Sequence, residues 1–152
     1  MAVHFFDTSA LAKHYRAEVG TDKVDALMAQ VASQSIISAL AVVELHSAFA
    51  LLTRMGQITA AEFSLSTGRF VADIAAGTRQ VTVMSLAHSQ SAQQLVIKHG
   101  TTRDMRTLDA IQLAVALSAN AASPLDGFVC ADANLCSIAA MEGLRVINPE
   151  MP

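Results

Sequence analysis

Short apolar runs alternate with longer stretches of helical period along the whole chain. Val3 to Phe6 reads VHFF, a β-rich run, and ends abruptly in Asp7, Thr8 and Ser9. An acid in that place is either a helix cap or part of some chemistry, and the two hydroxyls offer caps for a helix through Leu11 to Arg16. Thr21 to Val31 carries Val24, Leu27, Met28 and Val31 at helical spacing. SIIS, Ser35 to Ser38, predicts a second strand, with Ser38 capping a helix to about Met55 that Gly56 terminates. Thr59 opens another helix, with apolar residues at Phe63, Phe70, Val71 and Ile74. Gln80 to Met84 is β-branched and alternating, hence a strand, and Leu86 to Lys98 a helix stopped by His99 and Gly100. A polar loop, TTRD, leads into a helix from about Met105 to Asn120, with Asp104 its expected N-cap. Phe128 to Ala131 predicts a strand, Asn134 to Met141 a helix, and Arg145 to Ile147 a last strand.

Short apolar strands set between helices are the sequence face of an α/β fold with a buried parallel sheet. Prolines occur only at positions 124, 149 and 152, and no linker or repeat divides the chain. One domain over residues 1–152 is expected.

Composition narrows the class. The chain is 53% hydrophobic with mean hydropathy +0.42, yet charges or His interrupt every run before the roughly 18 residues of a membrane span. With no basic leader at the N-terminus, a cytoplasmic globular protein is expected. So apolar a chain has few charges with which to cover its surface, which predicts a homodimer. Net charge is −3, so no global basic field advertises nucleic acid, although a site built from several acids would itself lower the charge. Cys130 and Cys136 match no familiar zinc spacing and read as small apolar side chains.

Four acids stand out. In an open α/β sheet, ligands collect outside the carboxyl ends of the strands. Asp7 follows VHFF and Asp132 follows FVCA, so both fall on that edge. Glu44 lies in an apolar helical stripe with Leu40, Ala41, Ser47 and Ala48, where a bare carboxylate is costly. It is therefore either buried for use or paired with an Arg from elsewhere. Asp109 sits one turn into an otherwise aliphatic helix, where an acid also suits the helix dipole. Clustered carboxylates repel one another and invite a hard divalent cation, Mg²⁺ or Mn²⁺, through oxygen ligands alone. Such an ion commonly takes phosphate oxygens and activates water for attack on a phosphodiester.

FFDTSALAKHY, the ISALAVVEL segment, RTLDAIQLAVAL and FVCADANL with AAMEGLRVINP, in that order and spacing, resemble PIN-domain ribonucleases of the VapC toxin type. The resemblance runs over essentially the whole chain. It implies a PIN-like three-layer fold, a short parallel sheet flanked by helices. It also implies a metal-dependent endoribonuclease, the toxin half of a toxin–antitoxin pair, that dimerises and is silenced by a small antitoxin whose C-terminal segment fills the active-site groove. The family's acids fall on Asp7, Glu44, Asp109 and Asp132, as catalytic residues and as ligands of Mg²⁺ or Mn²⁺. The hydroxyl after the first acid falls on Thr8, with Ser9 beside it, one of them a candidate to orient the acid or its water. Arg106 matches an Arg common in the motif, suited to RNA phosphate or to pairing with an acid. One departure is visible. Where the family often has Thr or Ser two residues before the last acid, this chain has Cys130, a poorer hydrogen-bond partner for Asp132, and Asn134 is the candidate to compensate.

Rival readings fit less well. A haloacid-dehalogenase-like phosphatase needs a second Asp at position 9, which is Ser, and a receiver domain needs a Lys that positions 13, 23 and 98 do not supply. A flap-type DNA nuclease brings appendages for which 152 residues leave little room. The non-enzyme alternative is a catalytically degenerate PIN-fold interaction module. The five histidines carry no catalytic expectation.

Overall fold

The computed structural model describes all 152 residues. Five strands, β1 (Val3–Phe6), β2 (Gln34–Ser38), β3 (Gln80–Thr82), β4 (Gly127–Val129) and β5 (Val146–Ile147), form one parallel sheet in the order β3-β2-β1-β4-β5. Seven helices connect and cover them: α1 (Thr8–Tyr15), α2 (Thr21–Met28), α3 (Ala39–Arg54), α4 (Ala60–Ala75), α5 (Leu86–His99), α6 (Thr107–Ala122) and α7 (Ala133–Met141). The expected PIN-like α/β architecture, a short parallel sheet flanked by helices, is the one found.

The layers follow from side-chain alternation on the central strands. Phe5 and Phe128 point to one face and pack with Leu95 of α5, Leu113 of α6 and Ile138 of α7. Phe6 and Val129 point to the other face, against Leu11 of α1, Leu45 and Phe49 of α3 and Phe70 of α4. Both faces of β1 are thus buried, which is why VHFF reads as an unbroken run rather than as an alternating one.

Local chemistry sets most element ends. Gly56, at φ +71°, follows the last turn of α3, and Gly56 N–H and Gln57 N–H donate to the Thr53 and Leu52 carbonyls at 3.0 and 2.9 Å. That left-handed turn, cheap only for glycine, is the expected stop. Thr59 caps α4 in a reciprocal pair with Glu62. Four ends differ from expectation. Helix α2 stops at Met28, and the chain turns through Ala32, at a positive φ of 59°, into β2. Strand β3 closes at Thr82, as β2, its sole neighbour, ends at Ser38. Helix α6 starts at Thr107 with Arg106 at the cap position, so Asp104 is not its cap. Strand β4 ends at Val129, because β5, paired with it through Ile147, offers no further partner; Cys130 and Ala131 lead out of the sheet to Asp132.

Candidate metal centre at the carboxyl edge

The chain builds β1, β2 and β3 in one direction, then returns to lay β4 on the other side of β1. The order therefore reverses between β1 and β4, and such a switch point leaves a crevice outside the strand ends. Asp7 lies at the end of β1, and its backbone N–H donates to the Val129 carbonyl of β4 at 2.9 Å. Asp132 stands beyond β4 at the start of α7. The first and last of the four acids thus flank the reversal.

Asp7 is buried, and one carboxylate oxygen, Oδ2, takes Ser9 N–H at 3.1 Å and Ser9 Oγ–H at 2.6 Å. Ser9 Oγ also accepts Ala131 N–H at 3.0 Å, so this hydroxyl ties the exit of β4 to the acid. The cap of α1 is therefore Asp7 itself rather than Thr8 or Ser9. Burial pushes the Asp7 carboxyl above its ordinary range, the Ser9 bonds pull it back, and Asp109 pushes it up again.

Glu44 is half-buried on α3, and no Arg pairs with it. Its Oε1 instead takes Gln112 Nε2–H at 2.7 Å and Thr8 Oγ–H at 3.1 Å. Burial raises its carboxyl, the two donors lower it, and Asp7 and Asp109 raise it further. Asp7, Glu44 and Asp109 therefore lie within each other's field.

The other two acids face a cation. Arg106 Nε–H donates to Asp109 Oδ2 at 3.0 Å, and its Nη2 lies 3.3 Å from Asp132 Oδ2. The guanidinium side chain is 67% exposed, against 17% for Asp109 and 30% for Asp132. So exposed a bridge contributes little to stability and is cheaply displaced. Asp132 also caps α7 by accepting Leu135 N–H at 3.0 Å.

The remaining expected positions fall as follows. Cys130 is fully buried with its thiol 3.7 Å from Asp7 Oδ2 and 3.6 Å from the Asp132 carbonyl oxygen. It supports the first acid's carboxylate rather than the last one's. Asn134 donates to the Asp104 carbonyl and turns away from the acids, so it does not compensate for Cys130. Gln112 was not foreseen, although a lone amide in the run AIQLAVAL is the same kind of polar interruption that singled out Glu44.

No three His, Cys, Asp or Glu side chains stand close enough to grip an ion as placed. Each acid is turned toward a hydrogen-bond donor, and Asp109 and Asp132 share Arg106. The donor set nevertheless fits a hard divalent cation: it is all oxygen, and Asp7 and Glu44 hold only neutral donors. Where a cation does reach the cluster, it is an exposed side chain spanning two of the acids.

The family model described as "PIN domain" matches residues 4–141. Among solved structures, VapC20 of Mycobacterium tuberculosis, a toxin that cleaves the sarcin–ricin loop, superposes with a TM-score of 0.68 at 17% identity, covering 96% of this chain and 99% of that one. FitAcB from Neisseria gonorrhoeae gives 0.67 at 18% identity, covering 96% and 97%. VapBC2 of Rickettsia felis, bound to a DNA fragment from its promoter, gives 0.63 at 11% identity, covering 96% and 98%. No curated protein matches the sequence.

Proposed function

The chain belongs to the PIN domain family, and from that premise we propose that it is a divalent-metal-dependent endoribonuclease, the toxin of a toxin–antitoxin pair. The observation that carries this reading is that buried Asp7 and half-buried Glu44 lie beside the β1–β4 reversal held only by neutral donors, with no cation to neutralise either. Structural acids in a fold are usually paired; these two are held by neutral donors and left with unspent charge.

Asp7, Glu44, Asp109 and Asp132 would hold Mg²⁺ or Mn²⁺. When bound, such an ion lowers the pKa of a water and neutralises charge on a phosphodiester and its leaving oxygen. The chain's own groups do the rest. Ser9 fixes the carboxylate plane of Asp7, and Thr8 with Gln112 fixes that of Glu44. Arg106, freed from Asp109 and Asp132, is a long exposed cation at the mouth of the site, suited to an RNA phosphate.

The partners follow the same reading. VapC20 is a toxin that cleaves the sarcin–ricin loop, which supports RNA as substrate and a small protein antitoxin as regulator. A homodimer is supported by an apolar groove of about 380 Å³ along α5 and α6, lined by Val96, Ile97, Ala110 and Ile111. No helix is long and apolar enough to cross a membrane, in keeping with a cytoplasmic setting.

The test is cleavage of total RNA and of a matched single-stranded DNA by purified protein, with Mn²⁺ and with chelator, the cut site mapped by primer extension. RNA cleavage that needs metal and is lost in Asp7→Asn is expected. Cleavage at the wild-type rate after either change would refute the reading. A folded protein that binds Mn²⁺ but cuts nothing would point to the interaction module instead. Light scattering at micromolar concentration is expected to give twice the 16.0 kDa chain mass.

A further inference from the structure

Helix α6 presents Leu113, Ala114, Val115 and Ala116 to the core, and amid them Gln112 is 1% exposed. A primary amide in such a place costs several kcal/mol unless its hydrogen bonds are made. All of them are made, and to one purpose. Ser38 Oγ accepts Ala41 N–H at 3.1 Å as the cap of α3, which leaves its own proton for Gln112 Oε1 at 2.7 Å. The Glu44 carboxylate at the amide's other end can only accept, which fixes that end as nitrogen and the end facing Ser38 as oxygen. Nε2 must then face the other way, and it donates to Glu44 Oε1 at 2.7 Å and Thr8 Oγ at 2.8 Å. Thr8 passes its hydroxyl proton to the same Glu44 oxygen at 3.1 Å. Every proton of the chain Ser38–Gln112–Thr8–Glu44 has one place to go. Both donors fall on Oε1, so Glu44 Oε2 is without a hydrogen bond inside the chain and free for a ligand.

The three elements meeting on this amide each carry an acid at or beside the contact. Thr8 follows Asp7, Ser38 caps the helix that bears Glu44, and Gln112 lies one turn beyond Asp109. We infer that Gln112 is the positioning residue for Glu44, holding its carboxylate toward a divalent cation at the carboxyl edge. This rests on the reading of the carboxyl edge as a Mg²⁺ or Mn²⁺ site. Outer partners of metal ligands act in this way, and their loss typically weakens metal affinity by about 10–100-fold.

Calorimetric titration with Mn²⁺ alone separates this role from mere packing. Wild type, Gln112→Met, Glu44→Gln and the double variant are compared, with circular dichroism confirming the fold of each. Gln112→Met keeps the volume and removes the bonds, so affinity should fall by about 10–100-fold. The double variant should bind no more weakly than Glu44→Gln alone, because Gln112 acts through Glu44. Additive losses, or unchanged affinity in Gln112→Met, would overturn the inference while leaving the metal site intact. Absence of Mn²⁺ binding by wild type would overturn the site and the inference together. Mg²⁺ titration of ¹⁵N-labelled wild type needs no variant to fold: the Gln112 side-chain amide should shift with the same midpoint as the Glu44 backbone amide. A Gln112 amide that stays still would sink the proposal.

Discussion

Two charged clusters sit at opposite ends of the same strands. At the amino ends of β2 and β3, Asp73 collects Tyr15 O–H at 2.6 Å, Arg79 Nη2 at 3.5 Å and His14 Nε2 at 3.9 Å. His14 Nδ1 is also 2.6 Å from Asp25, and Arg79 donates to the Thr78 carbonyl at 2.8 Å. Burial, together with the bond to Asp73, pushes the Tyr15 phenol up. Beside this cluster lies a cavity of about 530 Å³, lined by Gln34, Ser35 and Gln80 as well, but by none of the four acids. At the carboxyl ends, Asp7 and Glu44 receive only neutral donors, hydroxyl, thiol, amide and backbone, and the one cation present is the exposed Arg106. That cavity therefore lies beside a paired, structural cluster. Unspent negative charge marks the candidate site. Cavity size measures how elements fail to fill space, whereas uncompensated charge measures what the fold tolerates at a cost.

The sharpest way to break this contrast is Asp7→Asn. Asn still caps α1, so melting should not fall, while RNA cleavage should drop by about 10²–10³-fold, the rate equivalent of several kcal/mol of lost charge stabilisation. Wild-type turnover by the folded variant would remove Asp7 from the site.

Glu44→Gln tests the unspent charge directly. Gln can still accept from Thr8 and Gln112, so the change removes charge with the bonds kept. Metal-free variant should melt above metal-free wild type. Mn²⁺ at about 100 times Kd should stabilise wild type by about 2.7 kcal/mol and the variant by much less. A lower melting temperature with a full metal response would make Glu44 a structural acid.

Asp73→Ala should do the opposite. It strands a buried Arg79, whose Nε already has no partner in the chain, beside Tyr15. Because Asp73 is partly exposed, a loss of about 2 kcal/mol is expected, or roughly 4–8 °C in melting, with cleavage per folded molecule unchanged. Lost cleavage without lost stability would erase the division between the clusters.

A smaller effect concerns pH. Carboxyls raised in the folded state keep protons that the unfolded chain has released, so they lower stability as pH rises. For Asp7 and Glu44 that begins above the ordinary values of 3.8 and 4.5 and continues through the raised ones; below the ordinary values the penalty is absent. Glu62 and Glu142 are lowered and act in the opposite sense, so the comparison is with the Asp7→Asn, Glu44→Gln double variant. In chelator, its melting advantage over wild type should grow from acid to neutral pH. A constant advantage would mean that neither burial nor repulsion raises the two carboxyls. Smallest of all, Cys130→Ser should change stability by no more than about 1 kcal/mol and leave the metal requirement in place, the thiol being a weak donor at 3.7 Å from Asp7. Loss of cleavage in this variant would make Cys130 a working member of the site.

Much of this was legible in the chain. The strand ending in Asp7, the cap at Ser38, the stop at Gly56 and the apolar stripe around Glu44 are local patterns, and local patterns encode which face is buried and where an element ends. They were enough to single out the four acids and the fold class. They did not say that β4 lies against β1, which is what sets Asp7 beside the exit toward Asp132. They did not say that Glu44 answers to Gln112 and Thr8 rather than to an Arg, that Arg106 spans Asp109 and Asp132, or that Cys130 attends Asp7. Periodicity reports the environment of a residue, apolar or wet. The partner it meets there is fixed by strand order and helix docking, through contacts between residues as far apart in sequence as Thr8 and Gln112.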